Sequence, residues 1–148
     1  MIIMNKRNLF LLISVWLLST LLSAQNVTIS TPHTQLLLSV PNGGTPEQLY
    51  YGSHTSDADI RSICETARRR NAYPVYGMGY PCETALSVRH ADGNLTLQMA
   101  VIGVKETRLT KENATLTVIE LKDKVYPFFV NICYKAWQDA DVIETWTE

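Results

Sequence analysis

Residues 130–136 read VNICYKA, and this stretch decides the fold class. Val130, Ile132, Tyr134 and Ala136 point to one side of an extended chain, and the three residues between them point to the other. Because side chains alternate between the two faces of a β-strand, a period of two predicts a strand with one buried face. Such a strand needs hydrogen-bonding partners, so we expect further strands in the flanking sequence.

The same alternation recurs on both sides of this stretch. It is found at residues 35–40, 86–89, 97–104, 116–119 and 142–146, and a short apolar run occupies residues 49–51. Polar turns separate several of these runs, and residues 91–94 contain Asp-Gly, the strongest short-range hairpin signal. Residues 111–114 and 123–124 predict two more turns. Consecutive strands with short links predict an antiparallel meander backed by a second layer, which is an all-β sandwich.

One segment, at about residues 56–67, has the period of a helix instead. Ser56 and Asp59 form a pattern like a capping box. Apolar residues follow at helical spacing, at Ile60, Ile63, Cys64 and Ala67. The arginines at 68–70 would then lie at the C-terminal end, where positive charge suits the helix dipole. We therefore predict a short helix within this long connection.

The N-terminal segment predicts export. Residues 5–8 form a short basic region with Lys6 and Arg7, residues 9–22 are largely apolar, and Ser23 and Ala24 are the small residues of a cleavage site. We expect residues 1–24 to be a signal peptide, and residues 25–148 to be periplasmic or extracellular without membrane attachment. A membrane anchor is the alternative, although the apolar run is shorter than the roughly 20 residues that a spanning helix needs.

The charge balance argues against a nucleic-acid-binding protein. The chain of 148 residues has 13 Lys and Arg against 14 Asp and Glu, and two of the basic residues precede position 25. Residues 25–148 therefore keep 11 basic and 14 acidic side chains, for a net charge of −3. Nucleic-acid-binding proteins usually present a strongly basic face. A chain of this length forms one domain at most.

The histidines and cysteines do not predict a metal, a cofactor or a catalytic site. The three histidines, at 33, 54 and 90, lack the spacing of metal ligands, and we expect His90 to lie on the surface beside the Asp-Gly turn. Cys64, Cys82 and Cys133 leave at least one thiol unpaired. We expect buried, small apolar cysteines, and a Cys64–Cys82 disulfide remains open.

Two pairs of carboxylates are spaced by two residues. A glycosidase needs its two carboxyl groups on opposite sides of a sugar, which this spacing does not provide. We expect Asp139 and Asp141 to lie in a polar turn. Asp57 and Asp59 lie in the long connection, and long loops in compact domains are often functional, so these two are the candidate substrate-binding residues.

Five segments in order resemble the start of the family 36 glycoside hydrolases, the α-galactosidases. They are residues 49–52 (LYYG), 72–77 (AYPVYG), 83–93 (ETALSVRHADG), 121–123 (LKD) and the run from 130 to 146. The resemblance covers nearly all of residues 27–148. It implies that residues 25–148 are part of the N-terminal β-sandwich domain of such an enzyme.

The resemblance also implies where catalysis takes place. In this family the sandwich packs against a (β/α)8 barrel, which carries a nucleophilic and an acid/base aspartate and retains the anomeric configuration. The barrel motifs are absent from this sequence, so no catalytic residue is assigned. A loop of the sandwich can border the galactose pocket, sometimes that of a neighbouring subunit. The corresponding stretch is residues 53–71, which includes Asp57 and Asp59.

These observations predict the non-catalytic domain of an exported α-galactosidase, truncated before its sandwich is complete. Its partners would be the missing barrel, an α-galactoside in the full-length enzyme, and, in some members, further copies of the same chain. A stand-alone exported carbohydrate-binding or interaction module is the alternative, and a secreted structural β-protein is a third hypothesis. Open sheet edges invite pairing with other chains, so we expect the isolated mature chain to aggregate or fold poorly.

Overall fold

The computed structural model describes residues 25–148, so the predicted signal peptide at 1–24 lies outside the described residues. Within these residues, eight strands form two four-stranded sheets in which all neighbouring strands are antiparallel. The inner faces of the two sheets share one apolar core. The predicted all-β sandwich is therefore confirmed.

The first sheet is a meander with one helix inserted. Its elements in chain order are β1 (Gln25–Ser30), β2 (Thr34–Val40), β3 (Glu47–Ser53), α1 (Asp57–Thr66) and β4 (Arg70–Asn71). The strands pair in the order β1-β2-β3-β4. Sequence alternation did not identify β1, which has only two buried apolar residues, or β4, which has two residues in all.

The second sheet is a meander of longer strands. Its elements are β5 (Met99–Leu109), β6 (Ala114–Asp123), β7 (Phe129–Trp137) and β8 (Val142–Thr147), paired in that order. The turn between β5 and β6 contains one turn of 3-10 helix and a left-handed Asn113 with φ of 45°. A β-bulge shifts the register of β5 between Val101 and Gly103.

The core lies where alternation places it. Val130, Ile132, Tyr134 and Ala136 are all buried on the inner face of β7, as the opening stretch predicts. Their partners in the core come from both sheets, at Val27, Ile29, Leu36, Leu38, Val40, Met99, Val101, Ile119 and Leu121, and from Leu97 just before β5. Each fully buried side chain of this kind contributes about 1.5–3 kcal/mol, so the core supplies the main driving force for folding.

The predicted strand at 86–89 does not form, although the turn beside it does. The His90 N–H donates to the Asn94 carbonyl at 2.9 Å, and Gly93 adopts φ of 88°. The flanking residues do not pair with each other as a ladder. Leu86 instead forms an isolated parallel bridge with Val75, and the Leu97 N–H donates to the Tyr76 carbonyl. The segment around residue 75 therefore replaces the hairpin as the bonding partner.

The predicted helix is confirmed, but its end differs from expectation. Helix α1 stops at Thr66 because Ala67 is extended, with φ of −62° and ψ of 141°. The arginines at 68–70 therefore lie beyond the helix. Arg69 donates to a Glu47 carboxylate oxygen at 2.9 Å, and Arg70 pairs with Gln48 in the β3–β4 ladder.

Helix α1 covers apolar residues on the outer face of the first sheet. Leu37 and Leu49 are buried, although neither belongs to the core between the sheets. Leu49 and Ile63 line one shared cleft between β3 and α1. The Asn26 amide donates to the Cys64 sulfur at 3.2 Å, which ties α1 to β1. None of the helices among residues 25–148 is both long and apolar enough to cross a membrane.

Candidate functional site

The two candidate carboxylates occupy the first turn of α1, where they have different roles. Ser56 is the N-cap, and its side chain accepts a hydrogen bond from the Asp59 N–H at 3.2 Å. The Ser56 hydroxyl donates in turn to an Asp59 carboxylate oxygen at 2.7 Å. Asp59 is therefore engaged in a reciprocal cap that stabilises the start of the helix.

Asp57 is the more available of the two. Its side chain is exposed, and it makes no hydrogen bond or ion pair within residues 25–148. Its position in the first turn also favours a negative charge through the helix dipole. Of the two residues that the sequence selects, Asp57 is thus the one whose carboxylate can reach a ligand without weakening the cap.

A cluster of polar and aromatic side chains joins the Asp-Gly turn to the turn before β7. The rings of His90 and Tyr126 stack at 3.6 Å between centroids, with 9° between their planes. The Tyr126 hydroxyl donates to an Asp92 carboxylate oxygen at 2.7 Å and accepts from the Asn94 amide at 2.9 Å. His90 is therefore half-buried, with its Nε2 buried and unpartnered within the described residues, which corrects the expected surface position.

Two ionisable groups of this cluster have shifted pKa values. The hydrogen bond from the Asn94 N–H, followed by that from the Tyr126 hydroxyl, lowers the pKa of Asp92. The Asp92 carboxylate raises the pKa of Tyr126. Both shifts favour the pair as a carboxylate and a neutral phenol, which is a structural hydrogen bond rather than an acid/base pair.

Asp123 anchors the same turn from inside the protein. Its side chain is only 1% exposed. One carboxylate oxygen accepts from the Val125 and Tyr126 N–H groups at 2.8 Å each, and the other accepts from the Gln98 N–H at 2.7 Å. Burial by itself raises the pKa of Asp123, but these three donors outweigh burial and hold the pKa below its usual value. Sequence reasoning identified a turn here but not this anchor.

Asp141 links the two sheets at one end of the sandwich. It lies in the expected polar turn, with φ of 52°. Its carboxylate accepts hydrogen bonds from the Thr31 hydroxyl and the His33 N–H of the β1–β2 turn, the latter at 3.1 Å. The Thr31 hydroxyl is the main cause of the lowered pKa of Asp141. The partners are more than 100 residues away along the chain, so local spacing does not reveal this contact.

An open groove lies between the two sheets on the side of β8. Its volume is about 580 Å³. The first sheet contributes Leu36, Leu38, Gln48 and Tyr51, the connecting segment contributes Ala72, Tyr73 and Ala85, and the second sheet contributes Ile132, Tyr134, Ile143, Thr145, Trp146 and Thr147. Most of the strand residues among them, such as Leu36, Leu38, Ile132 and Ile143, face the core, so the groove is a part of the core that the described residues leave uncovered.

Residues 25–148 show neither a metal-binding cluster nor a glycosidase-type arrangement of the two candidate carboxylates. No group of three or more His, Cys, Asp or Glu side chains among them could hold a metal ion. The two candidate carboxylates share one helical turn and do not face each other across a sugar-sized gap.

The three cysteines are unpaired in the described structure. Cys64 is half-buried, Cys82 is exposed and Cys133 is buried, so the Cys64–Cys82 disulfide does not form here. Burial also raises the pKa of the Cys133 thiol, which keeps it protonated and unreactive.

The family comparison matches most of the chain. Residues 44–148 match the model of the glycosyl hydrolase family 36 N-terminal domain. No curated protein sequence matches the chain.

Solved structures share the fold. The α-galactosidase AgaA from Geobacillus stearothermophilus aligns with a TM-score of 0.70 and 16% identity, over 83% of this chain and 21% of its own. The α-galactosidase from Lactobacillus brevis aligns with a TM-score of 0.70 and 16% identity, over 84% and 21%. AgaB from Geobacillus stearothermophilus aligns with a TM-score of 0.68 and 14% identity, over 84% and 21%. The chain thus spans about a fifth of the length of the solved structures that it matches.

Proposed function

This chain belongs to the glycosyl hydrolase family 36 N-terminal domains, and we propose that it is the non-catalytic domain of an exported α-galactosidase. The observation that carries the proposal is the open groove between the sheets. Core-facing residues such as Tyr51 and Ile143 line it, and burying them requires more protein than residues 25–148 provide. A domain that packs against the rest of an enzyme accounts for this uncovered core.

In this proposal the domain supports catalysis without performing it. The catalytic aspartates belong to a barrel domain outside residues 1–148, and the substrates are terminal α-galactosides. Two observations support this division. The matched α-galactosidases are about five times longer than the aligned region, and the two candidate carboxylates share one helical turn instead of facing each other across a sugar-sized gap.

Export is the second part of the proposal. It is supported by the basic residues Lys6 and Arg7, the apolar run at 9–22 and the small residues Ser23 and Ala24. Expression with and without residues 1–24, followed by fractionation and N-terminal sequencing, tests it. We expect the exported form to begin at Gln25. Retention of an intact N-terminus in the membrane fraction would show an anchor instead.

The catalytic part of the proposal is tested with a chromogenic α-galactoside. We expect no turnover by the purified chain, and turnover by an enzyme that joins this chain to a family 36 barrel domain. Hydrolysis by the chain alone would contradict the proposal. Calorimetric titration of the chain with galactose and raffinose tests the alternative of a stand-alone sugar-binding module, which would show heat of binding.

We propose further that Asp57 contacts the sugar in the assembled enzyme. Its carboxylate is exposed and unpaired within residues 25–148, and it lies in the stretch at 53–71 that resembles a pocket-bordering loop. Carboxylates are good acceptors for sugar hydroxyl groups, because each has two oxygens with several acceptor positions.

The matched pair Asp57→Ala and Asp59→Ala tests this role in an enzyme that carries the chain as its N-terminal domain. Asp57→Ala should raise KM by about tenfold, the loss of one charge-assisted hydrogen bond, with kcat unchanged. Asp59→Ala should chiefly weaken the helix cap and lower thermal stability. Unchanged kinetics for Asp57→Ala would remove Asp57 from the site.

A further inference from the structure

The outer edge of β5 is unpaired over most of its length. At the start of the strand, residues 43 and 44 occupy this edge through two hydrogen bonds with Val101, at 2.9 and 2.8 Å. From Gly103 to Leu109, no other segment within residues 25–148 bonds to this side of the strand. A free edge of seven residues is long enough to accept another strand, because typical strands have five or six residues.

Charged side chains normally protect an open strand edge from pairing with other chains. On β5, however, the charge of Lys105 is already neutralised by an ion pair. The Lys105 ammonium lies 2.5 Å from a Glu120 carboxylate oxygen on the neighbouring strand β6. Glu106 is exposed and forms no ion pair within residues 25–148. Arg108 is exposed and is held on its face by hydrogen bonds to Thr115 and Asn113, at 3.0 and 2.8 Å. The edge therefore presents one acidic and one basic side chain, two residues apart.

This spacing suits a second copy of the same edge. Residues two apart in a strand lie on the same face. In an antiparallel pair centred on Thr107, Glu106 of each copy lies opposite Arg108 of the other, and the two threonines face each other. Symmetric registers centred on residue 106 or 108 would place like charges opposite each other, which destabilises a strand pair.

We propose that a second copy of this chain pairs with β5 edge to edge, in the antiparallel register centred on Thr107. The contact joins two four-stranded sheets into one continuous sheet of eight strands. It repeats the same patch on both copies, as a two-fold interface requires. This inference rests on the edge of β5 alone and does not depend on the proposed function.

An engineered disulfide tests the register. In a background with Cys64→Ser and Cys82→Ser, Thr107→Cys should form a disulfide-linked dimer under mild oxidation, because opposed residues in an antiparallel pair have Cα atoms about 4.5–5.5 Å apart. Lys105→Cys is the matched control, because in this register it faces residue 109 of the other copy. Equal yields of dimer from the two variants would overturn the proposed register.

Charge reversal tests the recognition. Adding Glu106→Arg or Arg108→Glu to Thr107→Cys should lower the yield of dimer by about tenfold, since each change creates two like-charged pairs. A mixture of the two variants should regain the yield, because opposite charges then face each other again. Adding Glu65→Arg, on helix α1, should leave the yield unchanged. Failure of the mixture to recover would overturn the proposal.

Discussion

At the scale of single residues, the buried Asp123 is the side chain that most clearly stabilises the fold. Its carboxylate takes three backbone N–H donors from two separate segments, so one side chain fixes the turn before β7 against the start of β5. A carboxylate suits this role better than an amide, because it accepts on both oxygens and donates from neither.

We expect Asp123→Asn to destabilise the domain in a pH-dependent way. The pKa of Asp123 is lowered in the folded protein, so its contribution is present above the unfolded value near 3.8 and is lost as pH falls through the folded pKa. At pH 7 the variant should lose about 1–3 kcal/mol of unfolding free energy, because an amide N–H would replace one acceptor. Urea unfolding at several pH values measures this.

The difference between the wild type and Asp123→Asn should shrink as the pH falls below about 4. Glu83→Gln is the control, because that carboxylate is exposed, outside any helix and unpaired within residues 25–148. A constant difference across the pH range would show that Asp123 acts through shape rather than charge.

Alanine substitutions at two glycines distinguish the cost of backbone strain from the cost of a steric clash. Gly77 has φ of 94°, and an added Cβ would come within 2.6–3.0 Å of Thr96 atoms. Gly93 has φ of 88°, with nothing within 4 Å of an added Cβ. Gly93→Ala should therefore cost about 1 kcal/mol from backbone strain, and Gly77→Ala should cost more because the clash adds to the strain. Thermal unfolding of both variants measures the difference, and equal losses would contradict the clash.

At the scale of elements, the helix depends on its cap because it buries no residue completely. Ser56→Ala should weaken α1 by about 1 kcal/mol through loss of the capping hydrogen bond. Hydrogen exchange should accelerate at residues 57–66 while the β-sheets stay protected. Ser62→Ala, in the exposed middle of the helix, is the control. Equal exchange in both variants would show that packing on β3, and not the cap, maintains α1.

Local sequence patterns predicted the individual strands and the helix more accurately than they predicted which segments pair with each other. Alternation placed β7 and its buried face correctly, because a half-buried strand has apolar residues at every second position of its sequence. The Asp-Gly turn also formed, yet residues 86–89 bonded to the segment around Val75 instead of forming the predicted hairpin strand. Arg70 likewise joined Gln48 in a ladder rather than extending the helix. In each case a partner distant in sequence decided the outcome.

The candidate site shows the same limit. The sequence selected Asp57 and Asp59 together, and only the structure separates the capping carboxylate from the available one. The sequence placed Asp141 in a polar turn but did not reveal its contacts or those of Tyr126, because their partners lie 107 to 110 and 32 to 34 residues away. Spacing along the chain carries no information about such contacts.

At the scale of the whole molecule, the open groove governs behaviour in solution. Uncovered core residues bind apolar dyes and promote association. We expect the mature chain to enhance the fluorescence of an apolar dye and to aggregate with increasing concentration. Ile143→Ser should reduce dye binding, whereas Val125→Ser, at a residue 64% exposed and outside the groove, should not. A monomer with a sharp thermal transition and no dye binding would contradict this expectation.

The order of strands has a consequence for how the molecule forms. Each ladder joins strands that are neighbours in sequence, with the first sheet complete by residue 71 and the second beginning at residue 99. Pairing strands that are neighbours in sequence closes shorter loops than pairing distant strands, so these ladders form before the contacts between the sheets. The first sheet can therefore assemble on the ribosome while the second is still being synthesised. Its inner leucines then stay exposed until β5 to β7 emerge, and this interval is when a nascent chain most needs a chaperone.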